Sequence, residues 1–100
     1  MTYDDNNIFA KILRGEIPCD KIYEDEYVLS FNDISPRKKI HVLVIPKGKY
    51  INLDDFNQKA SKEEIVGLLK GISIVAKKLG ISGDKGKGYR TLSNISEYGG

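Results

Sequence analysis

Two side chains able to do chemistry, Asp33 and His41, bracket the turn of one hydrophobic hairpin in the run FNDISPRKKIHVLVIP, residues 31–46. A carboxylate such as Asp33 accepts two hydrogen bonds and donates none when ionised. With Phe31 before it and Ile34 after it, Asp33 could accept from a ribose diol while its apolar neighbours cover a base. It could equally close an Asx-type turn ahead of Ser35-Pro36. His41 is the only histidine of the chain. An imidazole can act as base, ligand or metal donor. A lone histidine opening an apolar strand is more often a hydrogen-bonded structural residue, and no second histidine or cysteine pair is present to complete a metal site. Cys19 follows Pro18 with no base nearby, which does not describe a reactive nucleophile.

The remaining candidates are loops. Gly83-Asp84-Lys85-Gly86-Lys87-Gly88 has the composition of a phosphate loop, but not the Walker spacing, and no helix pattern follows it. It reads as the entry to a hairpin. Arg37-Lys38-Lys39 reads as a solvated turn, with a ribose or phosphate contact as the minority alternative. Asn94 together with Gly99-Gly100 could present an amide and bare backbone N–H groups to a phosphate, or could simply make a turn.

These residues need elements to hold them. Phe31 ends a strand predicted over Tyr27–Asn32, which Ser35-Pro36 stops because proline has no N–H and pushes its predecessor out of the helical region. The next strand, His41 to Ile45, is almost wholly apolar, the pattern of a strand covered on both faces. Lys21–Glu24 precedes them as a first strand, with Asp25-Glu26 as its turn. Short spacings of this kind predict an antiparallel meander. Ahead of it, Ile8, Phe9, Ile12 and Leu13 recur at helical spacing behind possible caps from Asp4 to Asn7, and Gly15 suits the position after a helix.

Asn52 to Ala60 is polar, with a possible helical turn around Leu53 and Phe56. Ser61-Lys62-Glu63-Glu64 is a capping box. Ile65, Leu68, Leu69, Ile72, Val75, Ala76 and Leu79 then follow at spacings of three and four, Lys77-Lys78 suit the negative end of the helix dipole, and Gly80 stops the helix. Its apolar stripe, over about 62–79, requires a sheet to cover. Tyr89 to Asn94 reads as a fourth strand. The expected fold class is α+β, with helices on a largely antiparallel sheet.

Composition bounds the function. One hundred residues make one domain, with one core. Sixteen Lys and Arg against fourteen Asp and Glu leave a net charge of +2, too mild to argue for nucleic acid or a membrane surface. A single cysteine excludes an internal disulfide and suggests a reducing compartment. There is no basic segment followed by an apolar run, and no stretch long enough to span a bilayer. The expected setting is cytoplasmic.

Taken in order, Asn7-Ile8-Phe9-Ala10-Lys11-Ile12, Gly15-Glu16-Ile17-Pro18, Ile22-Tyr23-Glu24-Asp25, Phe31-Asn32-Asp33-Ile34-Ser35-Pro36, His41-Val42-Leu43-Val44-Ile45-Pro46-Lys47, Gly88-Tyr89-Arg90 and the stretch from Asn94 to Gly99-Gly100 resemble the histidine triad (HIT) family, in its nucleotide-binding branch. The resemblance runs over nearly the whole chain. It implies a pocket for a purine nucleoside monophosphate. Ile8, Phe9, Phe31, Ile34 and Leu43 would line the base site. Asp33 would hold the ribose hydroxyls, and Asn94 and Gly100 would serve the phosphate end. His41 would stand behind the site as a supporting residue. The family reaction it implies is attack by a histidine on the α-phosphorus of a nucleoside phosphoramidate or related ester, followed by hydrolysis of the nucleotidyl-histidine, with no cofactor. A purine nucleotide and a second copy of the chain are the implied partners, with neither nucleic acid nor membrane.

The chain departs from the family pattern in three places. Asn7 and Ala10 stand where many bacterial members have the cysteines of a zinc site, so no metal is expected. Lys49 stands where a histidine is common. The defining His-x-His-x-His, which the pattern places on a fifth strand beyond Gly100, is absent from these residues. The chain is therefore expected to be a single HIT-like domain truncated at its C-terminal side, without its catalytic nucleophile. Three readings follow: a nucleotide hydrolase or transferase of phosphoramidase type that is inactive in this form, a non-catalytic nucleotide-binding module, and a dimerising structural domain.

Overall fold

A computed structural model of the chain describes residues 2–33, 40–83 and 85–95. Among these residues three antiparallel strands form one sheet in the order β1-β2-β3, with β1 at Lys21–Glu24, β2 at Val28–Asn32 and β3 at Val42–Pro46. Three helices among the described residues accompany it: α1 at Ile8–Leu13, α2 at Leu53–Lys59 and α3 at Lys62–Lys78. This is the expected α+β architecture with its meander, and α2 turns the suspected helical turn around Leu53 and Phe56 into a two-turn helix capped by Asn52.

The central strand is β2, and it is the buried one. Val28, Leu29, Ser30 and Phe31 are at most 4% exposed, whereas every residue of β3 is only half-buried. The apolar run of β3 had suggested a strand covered on both faces; among the described residues β3 has only β2 as a neighbour, and a strand paired on one side keeps part of its surface in solvent.

Alternation along β2 sends its side chains to two different layers. Val28 meets α3, where Gly71 permits the contact: a Cβ there would stand 2.9 Å from Val28 Cγ2. Tyr27 lies against Gly67 in the same way. Phe31 faces the other layer and meets Phe9 of α1. The sheet is thus held between α3 and the short first helix.

Local signals set the ends of α3. Ser61 accepts from the Glu64 N–H at 3.1 Å and the Glu64 carboxylate accepts from the Ser61 N–H at 3.1 Å, the reciprocal pair of a capping box. At the other end Gly80 takes φ of +73°, a left-handed conformation that glycine adopts without steric cost. Beyond it the Gly88 N–H donates to the Ile81 carbonyl at 3.0 Å.

The predicted fourth strand over Tyr89–Asn94 is not formed among the described residues. The segment runs exposed, with Tyr89 at 47% and Leu92 at 71%. Strand propensity in one segment is not sufficient, since a strand exists only through a hydrogen-bonded neighbour. No described helix is long and apolar enough to cross a membrane.

Candidate functional site

The hairpin of β2 and β3 brings the two chemically able residues together by register. Val28 pairs with Pro46, Phe31 with Leu43 and Asn32 with Val42. Continuing that register by one residue places Asp33 opposite His41, and the Asp33 N–H donates to the His41 carbonyl at 3.0 Å. Directly opposed residues share a face. Asp33 and His41 therefore lie beside Phe31 and Leu43, on the side of the sheet away from α3. Their side chains approach as well, with His41 Nδ1 3.4 Å from Asp33 Oδ2. Both are partly accessible, at 35% for the imidazole and 23% for the carboxylate.

α1 supplies the second wall. Asn7 caps it by accepting from the Ala10 N–H at 2.9 Å, and Ala10 is buried beneath it. This anchors Ile8 and Phe9 at the first turn, where they remain 45% and 42% exposed. The Phe9 ring lies 6.4 Å from that of Phe31, tilted by 39°. Phe31 itself is only 3% exposed. The result is a half-open apolar surface made by Phe9, Phe31 and Leu43, with a carboxylate and an imidazole at one end and Ile8 exposed beside Phe9 at the start of α1.

Four of the expected site residues thus gather with His41, namely Phe9, Phe31, Asp33 and Leu43, and Ile8 precedes Phe9 at the start of α1. Ile34 and Gly100 lie outside the described residues. Asn94 is exposed, and no hydrogen bond among the described residues joins it to this group. Cys19 is half-buried in the connection between α1 and β1. No three His, Cys, Asp or Glu side chains among the described residues converge to hold a metal ion.

One interaction at the site had no sequence signal. Asn32, the last residue of β2, donates its side-chain amide to the Asp20 carboxylate at 2.6 Å and its backbone N–H to the Asp20 carbonyl at 3.0 Å. The two residues are twelve positions apart and meet only because β1 carries a register shift between Lys21 and Tyr23.

At the other end of the hairpin, charge ties the strands. Glu24 lies 2.6 Å from Lys21 Nζ and 2.7 Å from Lys47 Nζ, and hydrogen bonds from these two ammonium groups pull its carboxyl down to about 2. Burial pushes the Asp25 carboxyl up, but hydrogen bonds from the Tyr23 hydroxyl and from the Tyr27 and Val28 N–H groups outweigh it and leave it lowered.

The HIT domain profile matches residues 14–99. The chain belongs to the HIT family. A 13.2 kDa HIT-like protein of Azospirillum brasilense is 51% identical over 96 residues, which are 96% of this chain and 76% of that protein. The purine nucleoside phosphoramidase of Escherichia coli K12 is 36% identical over 97 residues, covering 96% and 77%. Among solved structures, a HIT family hydrolase of Clostridium thermocellum superposes with a TM-score of 0.83 at 35% identity, covering 96% of this chain and 80% of that one. The resemblance read from the motif pieces is therefore a family membership, and the three-stranded meander with its long helix is the corresponding part of the HIT fold.

Proposed function

We propose that this HIT chain binds a purine nucleoside monophosphate, with the base on the Phe9–Phe31–Leu43 surface and the ribose hydroxyls on Asp33. The observation that carries the reading is the placement of one partly exposed carboxylate at the end of a half-open apolar surface. Ile8 and Phe9 keep large apolar areas in solvent, and a base laid against them would remove that area from water. Asp33 can accept from both hydroxyls of a ribose diol, an arrangement of charge-assisted bonds. His41, opposite Asp33, orients the carboxylate from the strand side and is the supporting residue of this reading. The family resemblance assigns Ile34 to the base as well, and Asn94 and Gly100 to the phosphate end.

The named relative in Escherichia coli supports nucleoside phosphoramidates as the substrate class of the reaction. The sequence of this chain contains one histidine, His41, and no His-x-His-x-His. We propose accordingly that these residues supply the nucleotide pocket and not the nucleophile. Calorimetric titration tests the pocket. Adenosine 5′-monophosphate should bind, its 2′,3′-dideoxy analogue about tenfold more weakly, and Asp33→Ala should abolish that difference. Equal affinity of the wild-type chain for the two nucleotides would overturn the assignment of Asp33.

A homodimer is the second element of the proposal. Val66, Leu69 and Ile74 leave 48%, 62% and 38% of their surface exposed along α3, and the outer edge of β3 is unpaired among the described residues. Both are surfaces that a second copy would cover. Sedimentation equilibrium giving a monomer at high micromolar concentration would count against it.

A further inference from the structure

We propose that Asp20 is a positioning residue for the ribose contact: through Asn32 it holds the end of β2 in the conformation that aims the Asp33 carboxylate. The inference rests on the assignment of Asp33 to the ribose and adds a residue to it.

The argument is one of backbone constraint. The Asn32 N–H is held on the β1 side by the Asp20 carbonyl at 3.0 Å, and the next amide, Asp33 N–H, is held on the β3 side by the His41 carbonyl at 3.0 Å. The two successive amides flank the φ and ψ of Asn32, so holding both defines the direction in which Asp33 leaves the strand. The side chains reinforce the first of these contacts, since the Asn32 amide donates to the Asp20 carboxylate at 2.6 Å. Asp20 therefore grips Asn32 at two points.

The register shift in β1 places that grip. Lys21 pairs with Phe31 but Tyr23 pairs with Ser30, so β1 carries one extra residue around Ile22. An extra residue bends the strand and increases its local twist, a device that re-aims neighbouring side chains. Without it, Asp20 would not come opposite Asn32. Neither Asp20 nor Asn32 faces the apolar surface of the site: Asn32 alternates to the other side of the sheet from Phe31 and Asp33. Their effect on a nucleotide must pass through Asp33.

The test reads ribose discrimination, the ratio of the dissociation constants of 2′,3′-dideoxy and ordinary adenosine 5′-monophosphate, by calorimetry on the full 100-residue chain. Asp20→Ala should lower the ratio about three- to fivefold, the scale of one net hydrogen bond, while leaving the dideoxy affinity unchanged. Asp20→Asn keeps an acceptor for the Asn32 amide and should retain the wild-type ratio. Asn32→Ala should reproduce the effect of Asp20→Ala, and the double variant should add nothing further. A ratio unmoved in Asp20→Ala, or an equal loss of affinity for both nucleotides, overturns the positioning role. If Asp33→Ala abolishes discrimination while Asp20→Ala and Asn32→Ala do not, the ribose assignment stands and only this inference falls. If the wild-type chain itself shows no discrimination, both fall.

Discussion

Asp33 and His41 are joined twice across the hairpin, by a backbone hydrogen bond of 3.0 Å and by a side-chain approach of 3.4 Å between Oδ2 and Nδ1. The ladder between β2 and β3 therefore extends past the strand ends as far as the two residues with the chemistry. A ribose contact built on this pair stands on a sheet and not on a loop, which limits the motion of the carboxylate.

Phe9 and Phe31 should separate binding from stability, although their rings are in contact. Phe9 is 42% exposed, so Phe9→Ala should weaken purine nucleotide binding several-fold while changing stability by about 1 kcal/mol or less. Phe31 is 3% exposed, and Phe31→Ala should cost roughly 3–5 kcal/mol, a large part of the stability of a small domain. Urea melts of both variants beside calorimetric titrations make the comparison.

Gly67 should not tolerate a methyl group. Alanine would improve helix propensity by about 1 kcal/mol, but its Cβ would lie 2.5–2.7 Å from the Cδ2, Cγ and Cβ atoms of Tyr27. These atoms are near the root of the side chain and cannot swing away. Overpacking of roughly 1–3 kcal/mol should win, so Gly67→Ala is expected to lower the melting temperature by several degrees. A melting temperature equal to or above the wild-type value would show that α3 can shift away from the sheet at small cost.

Ser30 is fully buried on β2, and its hydroxyl has no hydrogen-bond partner among the described residues. A buried hydroxyl without a partner costs on the order of 1–3 kcal/mol, more than the few contacts its oxygen makes. Ser30→Ala should therefore raise the midpoint of denaturation, an unusual outcome for a fully buried position. A loss of stability on this substitution would reveal a hydrogen bond made by the hydroxyl.

Glu24 should make part of the stability depend on pH. Its folded pKa is depressed to about 2 from the ordinary 4.5 by hydrogen bonds from Lys21 and Lys47. Its stabilising contribution is therefore complete above the unfolded value of 4.5 and declines as pH falls from there toward 2. The side chain is 37% exposed, so the effect should be small and should fade as salt screens the pairs. Melts between those limits should show a shallower acid slope in Glu24→Gln at low ionic strength, and no difference between the proteins in high salt.

The histidine content sets the catalytic expectation. With His41 held across from Asp33, these residues should turn over adenosine 5′-phosphoramidate no faster than buffer. Turnover above that background that is lost in His41→Ala would overturn this expectation.

What the sequence determined by itself was local. The capping box at Ser61, the apolar spacing from Ile65 to Leu79 and the glycine after the helix specify α3 because each acts within a turn or two of chain. The apolar runs on either side of Ser35-Pro36 specify a hairpin for the same reason, and the ordered motif pieces sufficed for the family. The tertiary structure decided which strand is buried, since burial depends on the number of neighbours, and among the described residues β2 has two while β3, whose sequence is more apolar, has one. It also decided that Asp33 faces His41, that Phe9 rests on Phe31 and that Asp20 reaches Asn32. Each of these depends on register, and a shift of one residue would send every side chain of the strand to the opposite face. Tyr89–Asn94 shows the same limit from the other side: its residues favour a strand, but a strand is a relation between two segments, and local propensity specifies only one of them.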